Sequence, residues 1–142
     1  MLKIWGRITS INVQKVVWTA QELGLPFERI DAGGSFGGLD TAEYARMNPN
    51  RLVPTIDDDG FVLWESNAIV RYLASRYGAG RLWPGDLRTR AEADRWMDWQ
   101  ATMFGPAMRD AFMGLVRTPP GQRDEARIAA SVAQSNRLGL LL

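Results

Sequence analysis

Hydrophobic positions at the start of the chain form two short runs with a helical repeat between them. The first run predicts a buried strand over residues 2–6, and the second predicts a strand over residues 27–30. Between them, Gly24 and Pro26 end a segment, residues 11–23, that we interpret as a helix. Its apolar positions recur at helical spacing: Val13, Val16, Val17, Ala20 and Leu23. This order predicts a right-handed βαβ unit with parallel strands.

The next stretch predicts a loop, a short helix and a hairpin. Residues 33–40 contain four glycines and few apolar groups, which indicates a flexible loop, and residues 41–47 indicate a short helix. Apolar runs over residues 53–56 and 61–64 predict two strands. The aspartates between them are followed by Gly60, and Asp-Gly favours a tight hairpin turn because glycine tolerates positive φ.

A helix follows the hairpin, and the character of the chain then changes. Apolar positions from Ser66 onward lie on one side of a helix that Gly78 closes. The predicted order β-α-β-α-β-β-α resembles the thioredoxin fold. We therefore predict an α/β thioredoxin-like domain over residues 1–78, with a linker over residues 79–86.

Residues 87–142 are expected to be all-helical. Apolar positions recur at helical intervals from Leu87 to about Val116, and two prolines then interrupt the pattern before a last helix over residues 122–138. The chain ends in an apolar tail, residues 138–142. From this tail we expect a truncated all-α domain, with apolar surface that favours association.

Composition excludes several kinds of chemistry. The 142 residues include no Cys and no His, which excludes disulfides, protein thiols, catalytic triads and the common zinc sites. A formal net charge of +1 gives no electrostatic reason to expect nucleic acid or an anionic membrane. No apolar run reaches the roughly 20 residues of a spanning helix, and no secretion signal is visible, so we expect a cytoplasmic protein.

Polar residues cluster where the first strand meets the first helix. Thr9, Ser10, Asn12 and Lys15 lie at this corner, where free backbone N–H groups and the helix dipole favour negative charge. A hydroxyl here can donate to an anion and would stabilise a bound thiolate. The alternative is that Ser10 or Asn12 is an ordinary N-cap.

Val53 and Pro54 lie at the start of a predicted strand, where proline is tolerated because it has no N–H to donate. A cis bond here would leave the backbone groups of Val53 free to pair with a peptide-like ligand. The alternative is an ordinary trans proline at a strand edge.

Glu65 and Ser66 lie between a strand and a helix. Ser66 and the helix start form a natural carboxylate site, and Glu65 can accept hydrogen bonds from an ammonium group. One short segment could therefore hold both charges of an α-amino-acid end. The alternative is a capping serine beside a solvated glutamate.

Taken in order, these motifs resemble the N-terminal domain of the glutathione S-transferase superfamily, in its serine-type bacterial class. The match covers residues 1–78 well and residues 87–138 more loosely. The residues that carry it, beside Ser10, are Pro49, Val53, Pro54, Asp59, Gly60, Leu63, Glu65, Ser66, Ala68, Ile69, Tyr72, Leu73 and Tyr77.

The resemblance implies a site for each part of glutathione, which would serve as cosubstrate with no other cofactor and no metal. Glu65 and Ser66 would hold the γ-glutamyl end, and Val53 would pair with the cysteinyl backbone through a cis bond to Pro54. Ser10, with Asn12, would face the sulfur. Relatives often have Gly and a basic residue just before Val-Pro. Here Arg51 and Leu52 stand there, and Arg51 is expected to supply the charge.

The resemblance also implies an activity: conjugation of the glutathione thiol to a small hydrophobic electrophile, in a homodimer with a role in detoxification. Apolar side chains of the long helix could line the electrophile pocket: Trp99, Met103, Phe104 and Met108. A structural alternative for most of them is the helical core or a dimer contact. Two alternative functions remain open, a non-catalytic glutathione-binding or interaction module and a glutathione-dependent disulfide reductase.

Overall fold

The computed structural model describes all 142 residues, and four short strands form one mixed sheet in the first half of the chain. The strands are β1 (Leu2–Trp5), β2 (Phe27–Ile30), β3 (Thr55–Asp58) and β4 (Phe61–Trp64). Their spatial order is β2-β1-β3-β4. β1 and β2 are parallel, as predicted for a βαβ unit, whereas β3 runs antiparallel to both β1 and β4.

Three helices accompany the sheet: α1 (Ile11–Glu22), α2 (Ala42–Met47) and α3 (Ser66–Tyr77). The predicted order β-α-β-α-β-β-α is therefore confirmed. α1 and α3 pack against each other, and their apolar faces close over the sheet. The fully buried core side chains come from both layers: Ile4, Val13, Val16, Ala20, Ile56, Ile69 and Leu73.

The hairpin forms where Asp-Gly predicted it, with one boundary displaced. Asp59 and Gly60 make the two-residue turn, with φ values of 52° and 92°, which is the conformation that favours Asn, Asp and Gly. The predicted start of β3 at Val53 is wrong, because pairing with β1 begins at Thr55, after the proline that has no amide hydrogen to donate.

The second half contains α4 (Leu87–Trp99), α5 (Gly105–Phe112) and α6 (Glu125–Gly139). The backbone stays helical between α4 and α5 through a π-helical segment, Gln100–Phe104, and a second one, Met113–Arg117, follows α5. The predicted long helix is thus present but interrupted. Pro106 supplies no backbone N–H, and widened turns of this kind re-pair the backbone around such a residue.

The last helix begins three residues later than predicted. Asp124 is its N-cap, and the carboxylate accepts a hydrogen bond of 3.0 Å from the amide of Arg127. α6 packs against α5, where the Ser131 hydroxyl accepts from the amide of Ala111 at 3.0 Å and donates to the carbonyl of Ala107. This one α6 side chain therefore pairs with two backbone groups of α5.

The chain divides into two compact units, Met1–Asp86 and Leu87–Leu142. Residues 79–86, predicted as a linker, fall at the end of the first unit, where Ala79 and Trp83 form an isolated bridge. Length and hydropathy together rule out a membrane-spanning role for every helix described above.

Candidate functional site

A small open cleft in the first unit collects most of the residues predicted to contact glutathione, and it offers about 60 Å³ to water-sized molecules. Its walls come from the start of α1, the segment before β3, the end of β4 and the start of α3. The lining residues are Asn12, Asn48, Asn50, Leu52, Val53, Pro54, Trp64, Glu65 and Ser66. Among the residues predicted to contact glutathione, Ser10 and Arg51 are outside this lining. The four predicted electrophile-pocket residues are also outside it: Trp99, Met103, Phe104 and Met108.

Ser10 occupies the N-cap position of α1 without capping it through its side chain. The backbone of Ser10 is extended, and its carbonyl accepts from the amide of Gln14 at 2.9 Å. The hydroxyl makes no capping hydrogen bond to the helix. The N-cap alternative therefore accounts for the position of Ser10 but not for its hydroxyl, which remains able to donate to a ligand beside the positive end of α1.

Gly6 lets three parts of the site approach one another closely. Its φ is 151°, and a Cβ placed there would lie 2.4 Å from a methyl of Val13 and 3.2 Å from the Cβ of Val53. Any side chain at this position would push α1 and the Val53 segment away from the end of β1. Glycine at position 6 is thus a packing requirement of the corner.

Buried polar side chains hold the segment that precedes β3. The Leu52 carbonyl accepts from the Tyr44 hydroxyl at 2.7 Å and from the Asn48 amide at 2.9 Å. Both side chains also bond to the Thr55 hydroxyl, at 2.9 and 3.1 Å. Burial raises the pKa of Tyr44, while the bond to Thr55 acts in the opposite direction. These contacts fix the backbone on both sides of Val53.

The Val53-Pro54 peptide bond is cis. Pro54 is buried and Val53 is partly buried beside the cleft. Just before them, Arg51 has a φ of 53°, and its guanidinium lies 3.4 Å from the carboxylate of Asp40. Both partners of that ion pair are exposed, so the pair constrains Arg51 only weakly.

Glu65 is the N-cap residue of α3 and has an unusual backbone. Its φ of 73° with ψ of 110° is a sparsely populated conformation for a residue with a side chain, and such strain concentrates at functional sites. Its carboxylate makes no capping hydrogen bond and is exposed to the cleft. Ser66 is buried at the first helical position. The alternative of a capping serine is therefore wrong, because Glu65 takes the cap position and Ser66 is the first residue of the helix.

The predicted pocket side chains lie in the helical unit. The rings of Trp99 and Phe104 are stacked, with centroids 5.3 Å apart and planes at 17°. Trp96 meets Trp99 edge-on at 5.4 Å. Met103 and Met108 are exposed. Trp99 and Phe104 thus form one aromatic surface, and the methionines add flexible apolar groups on the same unit.

The sequence pattern did not reveal the hydrogen bonds and the strained backbone that shape the cleft. Nothing in the spacing of Tyr44 and Asn48 indicates that their side chains share the Leu52 carbonyl and the Thr55 hydroxyl. Asn48 before Pro49 marks the end of α2, but the target of its side chain depends on tertiary folding. The strain at Glu65 has no signal in the residue type, since glutamate rarely adopts positive φ.

Comparison with known proteins places the chain in a family. The family described as "Glutathione S-transferase, N-terminal domain" matches residues 9–76. The chain is 51% identical over 144 residues to glutathione S-transferase GstB of Escherichia coli K12, covering 100% of this chain and 69% of that protein. A chain 52% identical, the theta class glutathione S-transferase of Xanthomonas axonopodis pv. citri with glutathione bound, superposes with a TM-score of 0.93, covering 96% of this chain and 66% of that one.

A more distant structure has the same architecture. Glutathione transferase F2 of Populus trichocarpa is 25% identical, with a TM-score of 0.90, over 99% of this chain and 68% of that chain. The chain thus spans about two thirds of the length of these relatives. The thioredoxin-like fold predicted from the order of elements is confirmed. Since it is 51% identical to GstB along the whole of its own length, the chain belongs to the glutathione S-transferase family.

Proposed function

We propose that this protein binds glutathione in the cleft of the first unit and conjugates its thiol to a small hydrophobic electrophile. One observation carries the proposal: Asn12, Val53, Glu65 and Ser66, predicted as site residues from separate motifs, line a single cleft. A tripeptide needs contacts at several points along its length, and this cleft offers a different kind of contact at each wall.

Each part of glutathione has a proposed partner. The exposed Glu65 carboxylate takes the α-ammonium group of the γ-glutamyl residue, while Ser66 and the start of α3 take its α-carboxylate. The backbone of Val53 pairs with the cysteinyl residue. Leu52 and Arg51 serve the glycyl end, where the weak ion pair with Asp40 leaves Arg51 able to move towards a carboxylate.

Ser10 is the proposed thiol-activating residue, with Asn12 beside it. A hydroxyl that donates to sulfur stabilises the thiolate over the thiol, so the bound thiol loses its proton to solvent at lower pH. The thiolate sulfur then attacks an electrophilic carbon. A carbon–sulfur bond forms as the leaving group departs with its electron pair, and the chain supplies orientation and charge stabilisation. The nucleophile comes from the cosubstrate, so a chain without Cys or His can support this reaction.

The proposal includes a surface for the electrophile and a state of assembly. Trp99, Met103, Phe104 and Met108 supply apolar and polarisable surface suited to varied aromatic compounds. A homodimer in the cytoplasm completes the proposal, as the family resemblance implies. Exposed apolar side chains on β4, Phe61 and Val62, support a dimer, since such surface favours association.

The test combines binding with turnover. Calorimetric titration with glutathione should give saturable binding, and a chloro-nitroaromatic electrophile should release chloride in a glutathione-dependent reaction. Ser10→Ala should keep glutathione binding but lower kcat/KM about 100-fold, the effect typical of losing one donor to a developing anion. Its pH–rate profile should move to higher pH, because the bound thiol regains a higher pKa.

Ser75→Ala, on the exposed side of α3, is the matched control and should behave like the unaltered protein. Full activity in Ser10→Ala would remove the thiol-activating role from Ser10. Glutathione binding without turnover of any electrophile would contradict the transferase and support a binding module. Preferential reduction of a small dialkyl disulfide would indicate a disulfide reductase instead.

A further inference from the structure

All four strands of the sheet have one end at the edge where the cleft lies. Four residues form a row across this edge in the register of the sheet: Ile30, Trp5, Thr55 and Trp64. The segments just beyond the row therefore lie in the order β2, β1, β3, β4. Glu65 follows β4 and Val53 precedes β3. A ligand that runs from Glu65 across Val53 and onward therefore next reaches the ends of β1 and β2.

Arg7 lies just past the end of β1, against the segment that follows β2. A Cβ on Gly33 would lie 3.0 Å from the Nη1 atom of Arg7 and 3.6 Å from a methyl of Val53. A Cβ on Gly34 would lie 3.1 Å from both Cδ and Nε of Arg7. The head of the arginine side chain thus rests on two glycines beside Val53, and the absence of side chains there makes room for it.

The Arg7 guanidinium has no anionic partner within the chain. It makes no hydrogen bond and no ion pair with another residue, although the side chain is partly buried. The two carboxylates of residues 31–40 are already paired, Asp31 with Arg29 and Asp40 with Arg51. The unpaired nitrogens of Arg7 are not sealed from solvent. A partly buried cation with an accessible head is suited to an anion from outside the chain.

A purely structural role explains this arrangement less well. An arginine that only covers a surface packs its methylene stem there and extends its charged head into water. The head of Arg7 instead lies against Gly33, where it loses hydration without gaining a carboxylate. The cost of that placement is offset if a ligand supplies the negative charge.

Glutathione carries its second carboxylate at the glycyl end. In the proposed mode, the γ-glutamyl end lies at Glu65 and Ser66 and the cysteinyl backbone lies at Val53, so the glycyl residue continues away from β4. The cleft offers only about 60 Å³, far less than a tripeptide occupies, so the ligand extends past the lining residues. Arg7 lies on the side of Val53 towards which the ligand extends.

We propose that Arg7 binds the glycyl carboxylate of glutathione, to which its planar guanidinium can donate two parallel hydrogen bonds. This inference rests on the proposed function of the cleft. It adds a cation at the end of β1 to the one that Arg51 offers on the segment before β3. Arg51 is paired with Asp40 and Arg7 is unpaired, so Arg7 is the arginine that needs no rearrangement of an ion pair to bind.

The experiment titrates two reduced ligands into the unaltered protein and into Arg7→Met by calorimetry. The ligands are glutathione and its glycyl amide, which lacks only the negative charge at that end. Arg7→Met should bind glutathione about 10-fold more weakly, the scale of one charge-assisted contact. The amide should bind both proteins alike, about 10-fold more weakly than glutathione binds the unaltered protein. Such coupling between a residue and a ligand group indicates that the two interact.

Further measurements separate the carboxylate contact from other roles. Arg7→Lys keeps the charge without the planar fork and should retain part of the affinity for glutathione. Arg46→Met, at an exposed position of α2, is the matched control and should bind both ligands like the unaltered protein. In turnover, Arg7→Met should raise the KM for glutathione about 10-fold without changing kcat. The pKa of the bound thiol, followed by the ultraviolet absorbance of the thiolate, should stay the same.

Equal weakening of glutathione and its amide in Arg7→Met would show that Arg7 only supports the loop and would overturn the inference, as would no weakening of either ligand. A raised pKa of the bound thiol with both ligands would also overturn it, because Arg7 would then serve the sulfur. Dependence on the glycyl carboxylate in Arg51→Met but not in Arg7→Met would leave that contact with Arg51 alone.

If Arg7→Met fails to fold, Arg7→Gln carries the same comparison. An unaltered protein that binds no glutathione would overturn the proposed function and this inference together. Glutathione binding that every Arg7 variant leaves unchanged would overturn the inference alone.

Discussion

The Met1–Asp86 unit buries its apolar side chains far more completely than the Leu87–Leu142 unit does. Four large side chains of the first unit are 0% exposed: Ile4, Ile56, Ile69 and Leu73. In the second unit the buried apolar side chains are Ile128 and Leu138, at 7% and 8%. α4 and α5 bury none of their residues. Helix formation is thus common to both units, while a closed core is a property of the first.

This difference in burial corresponds to a difference in what each unit presents to other molecules. The first unit carries the whole cleft, and a closely packed core keeps the start of α1, the Val53 segment and the start of α3 at fixed separations. The second unit presents large apolar side chains at its surface, including Phe112, Met113, Leu115 and Val116. Such a surface suits contacts with apolar molecules or other chains, because those contacts remove it from water.

The largest expected effect comes from one substitution made in both units. Leu73→Ala removes a fully buried side chain and should lower the free energy of unfolding by about 3–5 kcal/mol. Leu138→Ala should cost about 1–2 kcal/mol, because its surroundings are more open and can collapse or admit water. Urea unfolding measures each loss, and hydrogen exchange followed by mass spectrometry reports which unit opens.

Leu82→Ala, at a half-exposed leucine of the first unit, serves as the control for the loss of leucine itself. Equal losses in Leu73→Ala and Leu138→Ala would contradict the comparison, since they would mean that α6 is packed as tightly as the α1–α3 core.

A close helix contact makes the second prediction specific to the Leu87–Leu142 unit. A Cβ on Gly114 would lie 2.5 Å from the Cγ1 and Cδ1 atoms of Ile128 on α6. Gly114→Val should therefore destabilise this unit by about 1–3 kcal/mol through overpacking. Glutathione affinity should not change, because the cleft lies in the first unit. Thermal unfolding and calorimetric titration check the two parts.

Ile128→Ala provides the space that Gly114→Val lacks. In the Gly114→Val background it should cost less than it does alone, and a double-mutant cycle measures that coupling. Additive losses would show that the two residues do not meet.

The same contrast explains how far the sequence predicted the structure. In the first unit, periodicity and turn residues predicted all four strands and all three α-helices, although β3 begins two residues late and the short 3-10 helix Gly34–Phe36 was predicted as loop. The prediction works because Val13, Val16 and Val17 reach a real core and Asp59 and Gly60 suit their turn. In the second unit, the periodicity predicted a long helix up to about Val116 and a last helix, and it missed the two π-helical segments in the first of these. Apolar residues at the surface obey no strict period, so the pattern there says less about the backbone.

The sequence predicted several residues that line the site, but it did not predict the hydrogen bonds that hold those residues in place. Asn12, Val53, Glu65 and Ser66 lie in one cleft, because strand ends and helix starts meet at one edge of the sheet. The hydrogen bonds of Tyr44 and Asn48 to the Leu52 carbonyl, and of Lys15 to Asn67, join residues from different elements. Such contacts depend on tertiary packing, which local sequence spacing does not encode.

A tyrosine cluster sets up the third and smallest prediction. The carboxylate of Asp58 is buried and accepts from the hydroxyls of Tyr72 and Tyr77, both at 2.8 Å. The Arg76 guanidinium lies over both rings, 5.9 and 5.2 Å from their centroids. Together these contacts join the β3–β4 hairpin to the last turn of α3. The pKa of each tyrosine is raised, chiefly by burial and then by the hydrogen bond to Asp58.

All three tyrosines of the chain belong to the first unit, so alkaline pH should distinguish the units. A hydroxyl whose folded pKa lies above its ordinary value of 10.0 contributes stability below that pH, and the contribution is lost as the pH rises through the folded pKa. The lowered pKa of Lys15 acts in the opposite sense and is common to all the proteins compared.

Tyr72→Phe should therefore lose less stability than the unaltered protein between about pH 9 and about pH 11, measured as the change in Tm. Hydrogen exchange over the same range should show earlier opening in Met1–Asp86 than in Leu87–Leu142. Identical pH profiles for the two proteins would mean that the raised pKa of Tyr72 does not contribute to folding, because the hydroxyl would then ionise equally well in the folded and unfolded chains.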